Sequence, residues 1–269
     1  MATNLLQGKK GLITGIINKR SIAYGIAKTL SEYGAEFAIT YQNETIKEKL
    51  LPIAEEFQID EKLLLKCDVS NEETIDEAFK TIKKEWESID FLVHAIAFSD
   101  KNELNGKYVN TSLNNFLSAM HISCYSFTAL AQRAEKMMEN GGSLLTLSYY
   151  GAEKVMPNYN VMGLCKAALE ASVKYLACDL GTQNVRVNAI SAGPIRTLAS
   201  SGISDFHSIS EWNRNNSPLR RNTTIEDVGK AALYLLSDLS SGTTGEILHV
   251  DSGYNVVGMK VVETDKVED

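Results

Sequence analysis

Short apolar segments rich in Val, Ile, Leu and Phe recur along this chain, and the stretches between them carry apolar residues at helical spacing. This alternation constrains the fold more than any other feature. The strand-like segments are 11–14, 36–41, 62–66, 91–95, 142–147, 185–190 and 246–250. The helix-like segments are 22–33, 44–57, 71–86, 112–139, 158–180 and 224–237. The strand segments show little polar alternation, as expected of strands covered on both faces. Strand and helix in turn therefore predict an α/β fold, a doubly wound parallel sheet of about seven strands with helices on both faces. A chain of 269 residues suits one such domain, 1–269, better than two. The one long irregular stretch, 194–217, follows the sixth strand. Ligands of open α/β sheets bind at that end of the strands, so the stretch is expected to be a substrate-binding loop.

The first strand leads straight into a glycine. Lys10-Gly11-Leu12-Ile13-Thr14 ends at Gly15, and Ile22, Ile26 and Leu30 then recur at helical spacing, with Ser21 placed as an N-cap. Strand, glycine turn and capped helix form the Rossmann-like layout that aims backbone N–H groups at a pyrophosphate. Gly15 lets the strand turn without a Cβ in the way, and Gly25 is expected to let the helix pack close to the sheet. The spacing Gly15-x5-Ser21-x-Ala23-x-Gly25 is stretched relative to G-x-G-x-x-G, and alone it fits an ordinary βα turn as well. A second constellation is Tyr149, Tyr159 and Lys166. Tyr159 and Lys166 are seven residues apart, two turns of a helix, which predicts side chains on one face. A lysine beside a phenol lowers its pKa, from about 10, by roughly 1–3 units. Tyr-x6-Lys also arises by accident in many helices, so it gains meaning only beside a cofactor site.

Bulk properties exclude several classes. A net charge of −7 with no basic stripe argues against a nucleic-acid partner. Residues 1–8 lack a basic segment and a long apolar core, and the apolar run 91–98 is too short to span a bilayer and is interrupted by His94. No membrane association is expected, and the setting is read as cytoplasmic. Cys67, Cys124, Cys165 and Cys178 fall at no metal-like spacing, so no metal and reduced thiols are expected. His94, His121, His207 and His249 are scattered, and none is assigned a catalytic role.

Together, the glycine turn and the Tyr-Lys pair resemble the short-chain dehydrogenase/reductase superfamily. The stretched turn resembles its divergent branch, the NADH-dependent, bacterial-type enoyl-(acyl carrier protein) reductases. The resemblance runs from about Gly8 to about Gly253. Its most specific blocks begin at Ser21-Ile22-Ala23-Tyr24-Gly25, Thr40-Tyr41-Gln42-Asn43, Cys67-Asp68-Val69, Leu144-Leu145-Thr146, Pro157-Asn158-Tyr159 and Val185-Arg186-Val187-Asn188.

The resemblance implies reduction of an enoyl thioester on acyl carrier protein by NADH, in a homotetramer built through 112–139 and 158–180. It implies cofactor contacts at Ile22, at Ile96 and along Ile195-Arg196-Thr197-Leu198-Ala199, with the Thr197 hydroxyl suited to a phosphate oxygen. It places Ser99 where the backbone meets substrate. Position after each strand adds more. Gln42 can hydrogen-bond the adenosine ribose or the adenine, or be a solvated loop amide. Gln42-Asn43 offers no cation to a 2′-phosphate, which favours NADH over NADPH, with Lys19-Arg20 in the glycine loop as the counter-evidence. Asp68 can accept from the adenine amino group, cap the next helix, or do both, while Val69 packs on the ring. An acidic carrier would want a basic docking patch, for which Lys19-Arg20, Arg214 and Arg220-Arg221 are candidates.

Ordinary members of the superfamily carry a serine thirteen residues before the catalytic tyrosine. Here that position is Thr146, inside the apolar strand and expected to point at its neighbours' backbone. The polar group offered to the pocket is instead the phenol of Tyr149, which favours reducing a carbon–carbon double bond over a ketone. Adjacent Tyr150 is expected to be structural. Tyr159 is the expected donor to the thioester oxygen, where charge develops, and Lys166 is expected to hold the nicotinamide ribose. The α-carbon proton has three candidate sources: Tyr159, Tyr149 and water. A 3-ketoacyl or alcohol dehydrogenase of the same superfamily, and a non-catalytic NAD(H)-binding sensor, are the competing readings. The missing serine speaks against the first, and intact Tyr159 and Lys166 against the second.

Overall fold

The computed structural model describes residues 4–198, 200 and 206–259. Seven strands form one sheet: β1 (Lys10–Ile13), β2 (Glu36–Tyr41), β3 (Leu64–Lys66), β4 (Phe91–His94), β5 (Gly142–Ser148), β6 (Val185–Ala192) and β7 (Ile247–Val250). Their order is β3-β2-β1-β4-β5-β6-β7, and every pairing is parallel. The chain moves outward from β1 in one direction, then from β4 in the other. The carboxyl ends of β1 and β4 thus form the switch point where a doubly wound sheet opens a crevice.

The α-helices among the described residues are α1 (Ile22–Glu32), α2 (Glu44–Glu56), α3 (Glu72–Trp86), α4 (Lys101–Leu104), α5 (Leu113–Met120), α6 (Ser126–Ala134), α7 (Val161–Leu180), α8 (Phe206–Asn216) and α9 (Ile225–Leu236). Successive strand residues face opposite sides of the sheet. Leu12, Leu92 and Leu144 join one apolar layer with Ile75 and Phe79 of α3, Phe127 of α6 and Leu169 of α7. Ile13, Val93 and Leu145 join the other with Ile26 and Leu30 of α1, Leu50 of α2 and Val228 of α9. Helices on both faces account for strands without polar alternation. None of the described helices is long and apolar enough to cross a membrane.

Four expectations need correction. Gly25 brings α1 against α9 rather than the sheet: a Cβ on it would lie 2.5 Å from the Ile225 carbonyl oxygen. Segment 112–139 is not one helix. A π turn at His121–Tyr125 separates α5 from α6. The wide turn presents Ser123, whose hydroxyl accepts from Phe98 N at 2.9 Å and donates to Phe98 O at 3.0 Å, bracing the chain after β4. Segment 194–217 contains α8, whose polar sequence gives weak helical periodicity. Finally, α7 begins at Val161, so Tyr159 precedes it, in a turn where Asn158 and Asn160 have φ of 56° and 39°.

Candidate active site

A cavity of about 700 Å³ opens at the carboxyl ends of the strands. Gly15, Ser21, Ile22, Gln42, Asp68, Val69, Ile96, Ser99, Tyr149, Tyr159, Lys166, Ile195, Thr197 and Leu198 all line it. Two predicted residues do not join them. Arg196 is exposed and outside the lining, although Ile195, Thr197 and Leu198 beside it line the cavity. Ala199 lies outside the described residues.

One end of the cavity suits a dinucleotide. Gly15 has φ of 86° and sits against the Ala95 carbonyl oxygen, leaving no space for a Cβ. Ser21 is the N-cap of α1 by position, but its hydroxyl does not cap the helix; it accepts from Ile17 N at 3.0 Å and Asn18 N at 3.2 Å. The first turn of α1, Ile22 and Ala23, therefore meets the cavity without a side-chain cap, the arrangement that receives an anion. Gln42 Nε2 donates to Asp68 at 3.3 Å. Burial would raise the Asp68 carboxyl, but hydrogen bonds from Ser70 and Gln42 outweigh it and hold the group below its ordinary range. Asp68 does not cap α3; the Asn71 side chain does, at Glu73 N. Asn43 likewise caps α2, at Ile46 N. Thr197 and Ser200 bond each other reciprocally: Thr197 N donates to Ser200 Oγ at 2.8 Å, and Ser200 N to Thr197 Oγ1 at 3.1 Å.

The basic candidates are largely committed to other groups. Lys19 pairs with Glu56 at 2.7 Å, Arg221 with Asp227 at 2.5 Å and Arg214 with Glu211 at 3.8 Å. Neither Lys19 nor Arg20 lines the cavity.

The other end holds the tyrosines. Tyr149 and Tyr159 meet edge to face, with ring centroids 5.1 Å apart. Burial pushes both phenols above their ordinary value, and for Tyr159 the neighbouring Tyr149, Cys165 and Glu170 push further. This overturns the expectation of a lysine-lowered phenol: Tyr159 is a neutral O–H donor. Lys166 reaches the site from the first turns of α7, and its Nζ donates to Leu147 O at 2.7 Å. Burial lowers its ammonium to about 8, so it is still charged at pH 7.

The hydroxyls near Tyr149 are occupied. Ser148 Oγ donates to the Glu170 carboxylate. Thr146 Oγ1 is 2.7 Å from His94 Nδ1, and His94 Nε2 is 2.9 Å from Ser126 Oγ. Thr146 was expected to meet backbone; it does reach His94 O, at 3.3 Å, but its closer partner is the ring. Burial, with the nearby Lys166 charge, depresses His94 to about 3, so it stays neutral and structural. Tyr150 stacks edge-on with His249 and Tyr254 and does not line the cavity.

An apolar lobe beside the tyrosines, formed by Leu104, Met156, Met162, Phe206 and Ile209, has no clear sequence signal. Phe206 and Ile209 are three apart on α8, a signal too short to stand out in a polar segment.

A family model described as enoyl-(acyl carrier protein) reductase matches residues 15–255. An NADH enoyl-(acyl-carrier-protein) reductase of Rhizobium meliloti strain 1021 is 59% identical over 266 residues, spanning 99% of this chain and 97% of the relative. The crystal structure of the Anaplasma phagocytophilum reductase in complex with NAD has 67% identity and a TM-score of 0.93, covering 96% of this chain and 98% of that one. The Bacillus cereus enzyme, crystallised with NADP+ and an indole naphthyridinone, has 50% identity and a TM-score of 0.92, covering 95% of this chain and 99% of that one.

Proposed function

Because the chain belongs to the enoyl-(acyl carrier protein) reductase family, we propose that its cavity reduces the trans-2 double bond of an enoyl thioester carried on acyl carrier protein, the last step of fatty-acid elongation. The observation that carries this reading is a neutral Tyr159 phenol beside Tyr149, walled by apolar side chains, with no free hydroxyl at the ketoreductase serine position.

When bound, NADH supplies the hydride. The residues fit it: the Gly15 turn and the first turn of α1 take the pyrophosphate, Gln42, Asp68 and Val69 take the adenosine end, and Ile96, Ile195, Thr197 and Leu198 line the remaining length. Lys166 holds the nicotinamide ribose through its ammonium. Tyr159 donates its O–H to the thioester oxygen as negative charge collects there. Tyr149 orients the thioester. Leu104, Met156, Met162, Phe206 and Ile209 exclude water from the acyl chain, and α8, within the substrate-binding segment 194–217, covers it. Ser99, in the cavity lining, meets the substrate.

Residues 1–269 act as one catalytic unit. The exposed apolar side chains Leu113, Leu117 and Tyr125 on α5 and the π turn, and Leu164 and Tyr175 on α7, support a homotetramer built through these helices. Unpaired thiols at all four cysteines suit a cytoplasmic setting.

The test is the rate of cofactor oxidation with crotonyl thioester and each cofactor. NADPH would lose the hydrogen bond that Gln42 offers the 2′-hydroxyl and bring its 2′-phosphate beside the Asp68 carboxylate with no facing cation, a cost of roughly 1.5–3 kcal/mol for a charged group, so kcat/KM with NADH should exceed that with NADPH by about 10–150-fold. Equal use of NADPH would refute the reading of Gln42. No oxidation with either would refute the function.

A further inference from the structure

Asn160 stands between Tyr159 and α7 in a backbone conformation that a side chain resists, with φ of 39° and ψ of −121°. This is the geometry of the first central residue of a type II′ turn, a position dominated by glycine. As the N-cap of α7, an asparagine would ordinarily accept from the helix's first amides; this one makes no such bond. Its amide points elsewhere. Asn160 Nδ2 lies 3.0 Å from Leu104 O and 3.3 Å from both Glu103 O and Gly106 O. Two amide hydrogens are thus shared among three carbonyls.

Those carbonyls belong to the end of α4 and the turn after it. A helix of four residues has almost no internal bonding to hold its last carbonyls. Asn160 closes that end. The start is tied separately, by Asp100 capping at Asn102 N, and the Glu103 carboxylate accepts from Ser112. The segment so held supplies Lys101 and Leu104 to the cavity. Leu104 is 7% exposed and packs in one apolar cluster with Tyr159 and Met162. One side chain therefore joins the turn that presents Tyr159 to the wall that an acyl chain would touch. Strained backbone persists where the surroundings over-determine it, and here the three carbonyls do so.

We propose that Asn160 is a positioning residue that locks the α4 wall against Tyr159 and so sets the enzyme's preference for longer acyl chains. This rests on the reading of the cavity as an enoyl-thioester site. A short acyl group ends before it uses the wall; a longer one gains from it. Loss of the clamp lets α4 move, and the long substrate loses more than the short one.

Three variants separate clamp from fold. Asn160→Gly removes the clamp and relieves the backbone. Asn160→Ala removes the clamp and keeps the strain. Asn160→Asp keeps the shape but replaces the donor with a carboxylate that repels the carbonyls. The ratio of kcat/KM for an eight-carbon to a four-carbon enoyl thioester is expected to fall in all three, by roughly tenfold, as for one lost hydrogen-bonding group. The glycine variant should melt above the alanine variant, so the loss cannot be assigned to unfolding. A merely structural asparagine would lower both substrates alike, and an unchanged ratio overturns the proposal.

Amide hydrogen exchange of the free protein provides a readout independent of activity. Exchange across 101–107 should quicken in the glycine and alanine variants. Unchanged exchange there overturns the clamp. A wild-type protein that reduces no enoyl thioester defeats the functional reading alone, and leaves the exchange result to decide the clamp.

Discussion

Tyr159→Phe is expected to lower kcat on an enoyl thioester by roughly 100–1000-fold while leaving KM within a few-fold. The phenol is buried and neutral, so it can donate but does not carry the charge itself. Its donation strengthens as the thioester oxygen becomes anionic, and so acts mainly in the transition state. Removing one such preorganised donor costs about 2.7–4 kcal/mol. KM rests on apolar contact along Leu104, Met156, Phe206 and Ile209, which the substitution leaves in place. Tyr149→Phe should cost less, because Tyr149 is assigned to orienting the thioester. Steady-state kinetics of both variants checks the order. A Tyr149→Phe enzyme slower than Tyr159→Phe would reverse the assignment, and near-normal turnover in both would move the electrophilic role to Lys166 or water.

Lys166→Ala should raise the dissociation constant for NADH by roughly 10–150-fold, the worth of one hydrogen bond from a charged group, and lower turnover as well. Isothermal titration measures the first effect, and unchanged affinity would confine Lys166 to chemistry or to structure. The wild-type enzyme carries a pH signature of the same group. Burial holds the folded-state ammonium at about 8, below its ordinary value of 10.5. As pH rises through about 8 the charge is lost, and kcat/KM should decline on that limb. The unfolded chain binds the proton more tightly, so the penalty of burying this charge is relieved, and stability rises, as pH goes from about 8 to 10.5. Activity falling while the melting temperature holds is the expected pattern; parallel loss of both would assign the limb to unfolding.

Much of this was legible in the residues because buried strands and amphipathic helices each carry a period. Segment 36–41 reads as a strand from its apolar run and is one, from Glu36 to Tyr41. Features that break a period did not read. The π turn at His121–Tyr125 adds one residue to a helical pattern without changing its composition. The Tyr159–Lys166 spacing looked like two helical turns, yet positive φ at Asn158 and Asn160 holds Tyr159 ahead of α7. The phenol's protonation does not follow from spacing, for a different reason. Spacing suggests a neighbouring charge, but burial dominates, and burial is set by Leu104, Val161 and Met162, distant or unremarkable in sequence. Gly25 reads as a residue that packs on the sheet, but it packs on Ile225, 200 residues away, which no local pattern names.

Tyr149 and Tyr159, with Thr146 and Ser148 turned to His94 and Glu170, suit a carbon–carbon double bond and not a ketone. The most direct measurement is the rate of NADH oxidation with crotonyl thioester set against that with the matching 3-ketoacyl thioester, at equal concentration. Rapid oxidation is expected with the enoyl substrate and negligible oxidation with the ketone. A ketone reduced as fast as the enoyl thioester, or faster, would contradict it.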